Sequence, residues 1–507
     1  MTAAWIDSTP VMTCEQARAV EQRLLSGEEE AEWAAMVRAG KGIAERLLVD
    51  FSEIGGFPSE GRMLVLAGKG HNGGDALIAT RVLLQQYPQA QVEVCFVFGE
   101  RSLRPLAKRA WRDLLHSAAQ RVVVRRSDDA LGSYDLCLDG VFGFQFRAPM
   151  DAAVGLFLAH VNRRPIRLRA AIDLPSGLDA PDAFRADFTY ATGIVKRPLL
   201  TLPNAGRLRF VDLGWNVDTG EFEGAPRVLS PRILEPLTRL RSSQVDKRTF
   251  GHVGVLGGSR SFPGAVLMAV KAAIRSGVGL VTAFVPESLV ATFAAAAPEA
   301  MWVGWPESPE GGLALEGTYL WRDKIDRITA WVVGPGMGRA EESLHCVKAL
   351  LGSVKVPVVM DADALQPNLV RVGTVPRILT PHAGEWGRIS QQESVESFSA
   401  ETNAVVIAKG PLTGVVAAWQ RYYSFFGGPV LARGGSGDLL AGLIGGLLAA
   451  GPEDPLLAAT RGVVWHGMAA DLLAQRQGHT AVATTDLLQY LSPALRSASI
   501  QERSSRS

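Results

Sequence analysis

The chain has 507 residues and a formal charge of +1, with 47% hydrophobic and 20% charged residues. This composition is typical of a globular protein with more than one domain, and it excludes a nucleic-acid binder, which needs a concentrated basic surface. The four cysteines lie far apart and form no CxxC or Cys/His pattern in the sequence, which favours reduced thiols in a cytoplasmic protein.

The N-terminal segment, MTAAWIDSTPVMTCEQ, has no basic stretch followed by an apolar core, so it does not match a signal peptide. The longest apolar run is LLAGLIGGLLAA, at Leu439–Ala450. It has about half of the ~20 residues that a membrane-spanning helix needs, which favours a buried helix instead. We therefore expect no membrane partner.

Short apolar runs in the first half of the chain end in glycine or polar residues, as buried strands do. These runs are residues 63–68, 92–99, 135–143 and 168–177. Between the first two, apolar residues recur at helical spacing over Ala76–Tyr87. Strands that alternate with helices predict a parallel sheet covered on both faces, with ligands at the carboxyl ends of the strands.

The same pattern restarts in the second half, after a break over Gly214–Asp246 that is rich in proline, glycine and charge. The apolar runs here are residues 252–259, 279–286, 330–338, 356–365, 377–385 and 403–410. We predict two α/β domains, residues 1–225 and 236–498, followed by a short polar tail, 499–507, that is disordered.

The first candidate site combines a glycine-rich loop with strand-end acids. The loop GKGHNGGD, Gly68–Asp75, joins a strand to a helix, and its glycines suit either an anion held at a helix start or a tight turn. Asp139 and Asp173 end apolar strands, in DGVFG and DLPSG, and Ser176 follows. Such oxygens suggest ligands for a cation or a general acid–base, although a strand-end carboxylate is commonly just solvated.

The second candidate site is Asp438, which follows the turn GGSG at Gly434–Gly437. The turn would direct its N–H groups at one point, which makes an anion hole with a carboxylate beside it. Asp is also favoured as a helix N-cap, but a cap does not need the preceding GGSG. We predict that Asp438 takes a proton from a substrate hydroxyl during phosphate transfer.

Other strand ends in the second half add candidates with open interpretations. The GPGMG loop, residues 334–338, suits close backbone contact with a ligand. Asp361 and Asp363 could orient the waters of Mg²⁺ or be solvated, and His382 could contact substrate or be structural. The segment 409–413, KGPLT, could hold a phosphate or nucleotide, or its lysine could be structural.

The motifs GKGHNGGD, LDGVFG and IDLPSG, in this order, resemble the NAD(P)H-hydrate epimerases, which form the N-terminal domain of bifunctional nicotinamide-nucleotide repair enzymes. The resemblance implies a Rossmann-like doubly wound fold, potassium bound by Asn72, Asp139 and Ser176, and Asp173 as the acid–base at the epimerised carbon. The residues that it implies for binding the hydrated nicotinamide nucleotide are His71, Asn72, Gly73, Gly74, Asp75, Gly143, Phe144, Gln145, Phe146, Arg147, Ala148 and Pro149.

This sequence departs from the epimerase pattern at a few positions. His71 stands where the family has asparagine, Ala76 where it has glycine, and GFQF, at 143–146, where it has GTGL. The last change places a bulky aromatic residue where a phosphate or ribose would pass. A dehydratase fused to a nucleotide-binding domain without catalysis is therefore an alternative.

The motifs GPGMG, DADAL, TPHAGE, KGPLT and GGSGD resemble, in order, the ADP-dependent (S)-NAD(P)H-hydrate dehydratases, which have a ribokinase-like α/β fold. The resemblance implies that Ala265, Gly336, His382 and Asp438 contact the hydrated nicotinamide nucleotide. The residues that it implies for binding the adenine nucleotide are Lys409, Gly410, Pro411, Leu412, Thr413 and Gly437. Gly428 departs from the pattern, which has asparagine before the proline.

The two resemblances together imply a cytoplasmic, homo-oligomeric enzyme that repairs hydrated NADH and NADPH. Its first domain would interconvert the R and S hydrates with the help of K⁺. Its second domain would dehydrate the S hydrate with ADP and Mg²⁺, leaving AMP and phosphate. The alternative for the second domain is a ribokinase-like kinase of a small alcohol.

Overall fold

The computed structural model describes residues 6–25, 27–143, 149–215, 217, 220–322 and 324–505, with backbone alone from residue 499 onward. The chain divides into two compact units. The first unit consists of Thr9–Ala225 and Gln475–Gly478. The second consists of Met1–Ser8, Pro226–Ala474 and His479–Ser507.

The first unit is an α/β domain built on a parallel sheet. Its strands are β1 (Ser8–Met12), β2 (Arg62–Ala67), β3 (Gln91–Phe96), β4 (Val122–Arg125), β5 (Tyr134–Gly140), β6 (Ile166–Ile172), β7 (Phe188–Thr192), β8 (Val195–Lys196) and β9 (Arg207–Val211). Its helices are α1 (Cys14–Leu25), α2 (Glu29–Phe51), α3 (His71–Gln86), α4 (Pro105–Ala118) and α5 (Ala152–Asn162).

The main sheet has the order β4-β3-β2-β5-β6-β7-β9, with every neighbouring pair parallel. This order turns back at β2 and β5, as in the doubly wound dinucleotide-binding sheets. Alternate residues of β2 enter different cores, because Met63 and Val65 pack on one face and Leu64 and Leu66 on the other. The predicted Rossmann-like fold, with helices on both faces, is confirmed.

The second unit is also an α/β domain, with a larger mixed sheet. Its strands are β10 (Arg227–Leu229), β11 (His252–Leu256), β12 (Leu280–Pro286), β13 (Met301–Trp305), β14 (Ala330–Val333), β15 (Val358–Met360), β16 (Arg377–Leu379), β17 (Ala404–Ala408), β18 (Thr413–Ala417) and β19 (Gln420–Ser424). Its helices are α6 (Pro263–Arg275), α7 (Val290–Ala296), α8 (Glu341–Ser353), α9 (Ala383–Ile389), α10 (Val395–Thr402), α11 (Ser436–Ala450), α12 (Pro455–Gln477) and α13 (Leu487–Ser505).

The strand order in this unit is β13-β12-β11-β14-β15-β16-β17-β18-β19-β10. The sequence predicts a parallel arrangement, and the pairs from β13 to β17 are parallel, but β17–β18 and β18–β19 are antiparallel. The hairpin between β18 and β19 turns at Ala418 and Trp419, and Ala418 takes a φ of 49°. This turn has no glycine, asparagine or proline to signal it, so the sequence pattern did not indicate the reversal.

The apolar run Leu439–Ala450 forms most of α11, which is buried in the core of the second unit as predicted. Gly442 and Gly446 face α6 so closely that an added Cβ would meet Ala269 O and Ser276 Oγ. None of the described helices is long and apolar enough to cross a membrane. Helix α13 runs on to Ser505, and residues 499–505, for which the composition predicts disorder, continue its backbone.

Candidate active sites

The motifs of the first unit meet at the carboxyl edge of β2, β5 and β6. The N–H of Gly68 donates to Gly140 O at 3.0 Å, which joins the loop after β2 to the end of β5. Asn72, in the first turn of α3, donates from Nδ2 to Phe142 O at 3.2 Å and to Ile172 O at 2.9 Å. One amide therefore ties the helix start to the loop after β5 and to the last residue of β6.

Asp139 and Ser176 form a buried polar pair at this edge. Asp139 is fully buried and accepts hydrogen bonds from Ser176 Oγ at 2.6 Å, Ser176 N at 2.7 Å and Val141 N at 3.2 Å. Ser176 Oγ in turn accepts from Phe142 N at 2.9 Å. Burial raises the pKa of Asp139 to about 6, with hydrogen bonds from Ser176 and Val141 opposing that rise. Asp139 is therefore not a solvated strand end.

Asp173 lies directly after β6 and is held in a rarely populated backbone conformation, with a φ of 67°. Its side chain is 3% exposed, and Oδ1 accepts a hydrogen bond from Lys196 Nζ at 2.6 Å. Its other oxygen, Oδ2, is buried and has no donor among the described residues. A buried carboxyl oxygen that accepts no hydrogen bond is available to accept a proton from a substrate.

Sequence reasoning missed Lys196 and Glu21. Lys196 is 1% exposed, and its Nζ also lies 3.6 Å from Glu21 Oε1. Burial, together with the nearby Asp173, raises the pKa of Glu21 to about 7, while Lys196 lowers it. A signal for Lys196 existed, because a single lysine within the apolar segment YATGIVK must be paired with an acid if that segment is buried.

The other predicted residues of the first site lie around the start of α3. His71 begins the helix and is exposed, with Nε2 at 3.4 Å from Glu32 Oε2. Gly73 packs against the backbone of Gly68, and Gly74 against the Met36 side chain, so neither position has space for a Cβ. Among the predicted contacts from residue 143 to residue 149, Gly143 and Pro149 belong to the described residues. The predicted contacts Phe144, Gln145, Phe146, Arg147 and Ala148 lie outside the described residues.

The second site is the N-terminal end of α11. Gly435, with a φ of 90°, turns the chain into the helix, and Asp438 stands in the first turn. The first N–H groups of a helix have no acceptor within it, so the turn presents donors to an anion. A Cβ added at Gly437 would lie 3.0 Å from Lys409 Nζ and 3.6 Å from Asp361 Oδ2. The glycine thus leaves open the space between these charged groups.

Lys409 follows β17 and connects two buried acids. Its Nζ lies 3.0 Å from Asp361 Oδ1 and 3.8 Å from Glu385 Oε2. Asp361 is 1% exposed and also accepts from Thr380 Oγ1 at 2.5 Å, so it is buried rather than solvated. Since the Nζ also borders Gly437, the predicted structural and phosphate-binding roles of Lys409 are compatible.

The hypothesis that Asp361 and Asp363 orient the waters of Mg²⁺ is not supported by the partners of the two side chains. Asp361 is paired with Lys409, and Asp363 accepts from Gly338 N at 3.1 Å and from Arg339 Nε at 3.1 Å. Both carboxylates are therefore already neutralised by a basic side chain. This donor set does not fit a dedicated Mg²⁺ site, because Mg²⁺ seeks carboxylates that are not already paired.

Asp438 is half-buried, and its surroundings disfavour its charged form. Burial raises the pKa of Asp438 to about 7, and Asp361 raises it further while Lys409 lowers it. A carboxyl group that titrates near neutral pH is well matched to accept a proton from a hydroxyl. The structure places this group beside the donors of the helix start, where an anion would bind.

The remaining predicted contacts of the second site lie in three places. Gly336, with a φ of 63°, packs on α6, and a Cβ added to it would lie 2.9 Å from Ala265 Cβ. His382 caps α9, because its Nδ1 accepts from Gly384 N at 3.0 Å and Glu385 N at 3.3 Å, and it pairs with Lys409 through a β-bridge. Its structural role is therefore evident, and its ring remains 60% exposed. The predicted nucleotide contacts Gly410, Pro411, Leu412 and Thr413 form the turn into β18.

Comparison with known proteins covers both units. A family model described as NAD(P)H-hydrate dehydratase matches residues 253–493, and one described as YjeF-related protein N-terminus matches residues 33–197. The bifunctional NAD(P)H-hydrate repair enzyme of Moorella thermoacetica is 33% identical, covering 86% of this chain and 87% of that protein. The enzyme of the same name from Gloeobacter violaceus is 34% identical, covering 89% of this chain and 90% of that protein.

Solved structures cover about half of the chain. An ADP/ATP-dependent NAD(P)H-hydrate dehydratase from Bacillus subtilis is 26% identical with a TM-score of 0.47, covering 53% of this chain and 97% of that one. A ribokinase-like superfamily protein from Enterococcus faecalis is 27% identical with a TM-score of 0.47, covering 56% of this chain and 99% of that one. With relatives of one kind matching over most of its length, the chain belongs to the bifunctional NAD(P)H-hydrate repair enzymes.

Proposed function

We propose that the first unit interconverts the R and S hydrates of NADH and NADPH, and that the second dehydrates the S hydrate with ADP as phosphate donor. The observation that carries this proposal is Asp438, a carboxyl group with a pKa of about 7 at a helix start that is open to an anion. A kinase of a small alcohol would account for the second unit but would leave the acid–base cluster around Asp173 without a purpose.

In the second unit, Asp438 takes the proton of the ring hydroxyl as the hydroxyl oxygen attacks the terminal phosphorus of ADP. The new oxygen–phosphorus bond forms while the bond to AMP breaks. Lys409 and the N–H groups at the start of α11 stabilise the negative charge on the transferred phosphoryl group. Phosphate then leaves with the electron pair of the carbon–oxygen bond, while the ring nitrogen stabilises the carbon. The neighbouring ring carbon loses a proton to water, and the electron pair of that carbon–hydrogen bond restores the nicotinamide double bond. Mg²⁺ bound to the phosphates of ADP would balance part of their negative charge.

In the first unit, Asp173 acts on the ring carbon that carries the hydroxyl group. Its unpaired Oδ2 is the proton-accepting oxygen, and Lys196 holds Oδ1 in place. The residues proposed for K⁺ fit a hard cation, because Asp139 is a fully buried carboxylate with no ion pair among the described residues, and Asn72 and Ser176 add neutral oxygens. K⁺ would supply the positive charge that this carboxylate lacks.

The function is tested with purified protein and a mixture of R and S hydrates of NADPH, by following the absorbance of regenerated NADPH after addition of ADP. Complete recovery supports both activities. Recovery that stops at the S fraction would mean that the second unit is an active dehydratase and that the first unit does not epimerise the hydrates. If no NADPH is recovered with either ADP or ATP, the proposed dehydratase activity of the second unit is rejected.

The rate of dehydration is expected to depend on pH through Asp438. As a base, Asp438 works only when ionised, so kcat/KM should fall as the pH drops through about 7 and should level off above it. The measurement is the pH dependence of kcat/KM on pure S hydrate, where epimerisation is not needed. A profile that is flat across neutral pH would contradict the role of Asp438 as the base.

Epimerisation is expected to require K⁺. Replacing K⁺ with a bulky organic cation at constant ionic strength should abolish interconversion of the hydrates, while Asp139→Asn should remove activity in either salt. Interconversion is followed by chromatography in the absence of ADP. A rate that is the same in both salts would exclude the cation from the mechanism, and dehydration of the S hydrate provides the internal control for the integrity of the protein.

A further inference from the structure

The GGSG turn before Asp438 presents several backbone donors at the start of α11. The N–H groups of Gly435, Gly437 and Asp438 have no acceptor among the described residues. Ser436 N–H donates to Arg433 O at 3.3 Å, which closes the turn. Unused donors at a helix start are available to an anion. Because glycine gives a backbone little stiffness, contacts from outside the turn must hold these donors in place.

Arg433, directly before this turn, anchors it through its side chain. Nη1 donates to Val482 O at 3.0 Å. Nη2 donates to His479 O at 2.8 Å and to Thr480 O at 2.7 Å. All three acceptors are backbone carbonyls in the segment that connects α12 to α13. One side chain therefore joins the turn to a segment that is distant in sequence.

The segment that Arg433 binds is itself fixed in the second unit. The side chain of Val482 is 7% exposed and belongs to the core of that unit. Ala483 N–H donates to Asp486 Oδ2 at 2.8 Å, just before α13 begins. Because the segment is fixed to the core, the three hydrogen bonds of Arg433 restrain the turn and do not merely follow its motion.

Two further contacts hold the turn without using its free donors. Thr484 Oγ1 donates to Gly434 O at 2.9 Å. Met268 of α6 packs against Gly435, where an added Cβ would lie 2.4 Å from the Met268 Cε. These contacts involve a carbonyl and an apolar side chain, so the N–H groups at the start of α11 stay open to a ligand.

Phosphoryl transfer is sensitive to the position of such donors. Charge on the transferred group is stabilised by donors that are already in place, and an error of about 1 Å can cost about 10²-fold in rate. Interactions that strengthen in the transition state raise kcat, whereas those that are equal in the ground state affect KM. A guanidinium group has five N–H donors and can join three carbonyls, whereas lysine offers one nitrogen. Arginine is therefore suited to fix this turn.

We propose that Arg433 is a positioning residue for phosphoryl transfer in the second unit. It ties the GGSG turn to residues 479–482, so that the free N–H groups keep the geometry that the transferred phosphoryl group requires. In this role Arg433 acts through the turn and contacts neither ADP nor the ring hydroxyl. The inference rests on the proposed dehydratase activity of the second unit.

The test compares Arg433→Ala and Arg433→Lys with the wild-type full chain, in dehydration of the pure S hydrate of NADPH at varied ADP concentration. Arg433→Ala should lower kcat by about 10²-fold with little change in the KM for ADP. Arg433→Lys should recover little of that loss, because one ammonium group cannot reach three carbonyls. Added methylguanidinium should raise kcat of Arg433→Ala, since it can bond to the same carbonyls, but not kcat of Asp438→Asn.

Matched controls separate positioning from stability. Arg461→Ala removes another arginine of the second unit that donates to a backbone carbonyl, Ile233 O at 3.0 Å, and it should keep the wild-type kcat. Thr484→Val removes the single bond to Gly434 and should lower kcat less than Arg433→Ala does. The Tm of each variant is measured as well, and if Arg433→Ala unfolds at the assay temperature, Arg433→Lys takes its place in the comparison.

Three results would overturn the inference. They are a wild-type kcat in Arg433→Ala, an equal loss of kcat in Arg461→Ala, and a loss that methylguanidinium does not reverse. A rise in the KM for ADP with unchanged kcat would also overturn it, because Arg433 would then act in binding. If the wild-type protein itself regenerates no NADPH from the S hydrate, the proposed function of the second unit fails, and the positioning role fails with it.

Discussion

Replacing Asp438 with Asn is expected to lower kcat for dehydration of the S hydrate by about 10²–10⁴-fold, the range for loss of a general base. Asparagine keeps the shape of the side chain but cannot take the proton of the ring hydroxyl. Since Lys409 and the N–H groups of the helix start remain, binding of the adenine nucleotide should change little. The measurement combines single-turnover dehydration with calorimetric titration of ADP.

The same substitution should make the protein more stable at alkaline pH. The fold raises the pKa of Asp438 to about 7 from its ordinary value of 3.8, so the folded state binds the proton more tightly than the unfolded state. The free energy of unfolding of the wild-type protein therefore falls as the pH rises between these values. Asparagine does not titrate, so Asp438→Asn should have the higher Tm above pH 7, while the exposed Asp326→Asn should leave Tm unchanged.

The dehydration rate and the Tm of Asp438→Asn together show whether the variant loses activity because it unfolds. A variant that loses dehydration and gains thermal stability has lost chemistry rather than its fold. The N-cap alternative for Asp438 is wrong, because Gly435 is the N-cap of α11 and Asp438 lies within the first turn. If Asp438→Asn retained kcat within a few-fold of the wild-type value, Asp438 would not be the base. A fall in ADP affinity equal to the fall in rate would instead indicate that Asp438 acts in binding.

The sequence was sufficient to predict where the sites lie, because apolar strand runs have a clear pattern and parallel strands end at a common edge. Asp139, Asp173 and Asp438 could be selected in this way. The state of their side chains could not be predicted, since burial and pairing depend on residues distant in sequence. Lys196 reaches Asp173 only after the chain has folded, and no motif in the sequence indicates that it also contacts Glu21.

In the second unit, too, the sequence predicted the position of the site residues but not their partners. Asp361 was predicted to be a magnesium-orienting or solvated acid, but it lies in the core beside Thr380 and Lys409. His382 was a candidate substrate contact, and its capping bonds to Gly384 and Glu385 follow from the position of α9, which the sequence motif TPHAGE alone does not specify. In both cases the residue was identified correctly as part of the strand-end region, but its partners come from tertiary structure.

Replacing Asp173 with Asn is expected to lower the rate of epimerisation by about 10²–10⁴-fold while leaving dehydration of pure S hydrate intact. The change removes the base and leaves Lys196 with a neutral neighbour in a buried position. Breaking a buried ion pair by removing one partner destabilises a protein by about 3–5 kcal/mol, so the first unit should also unfold at a lower temperature. The remaining Glu21 offsets part of that loss.

The double variant Asp173→Asn with Lys196→Met distinguishes the two consequences, because it removes both charges and leaves no unpaired cation. Replacement of a buried ion pair by uncharged residues of similar size is often neutral for stability, so the Tm lost in Asp173→Asn should largely return. Epimerisation should not return, since the proton acceptor is still missing. If the rate recovers together with Tm, Asp173 serves the fold and the base must be another group at this edge, whereas recovered Tm with no rate assigns the chemistry to the Asp173 carboxylate.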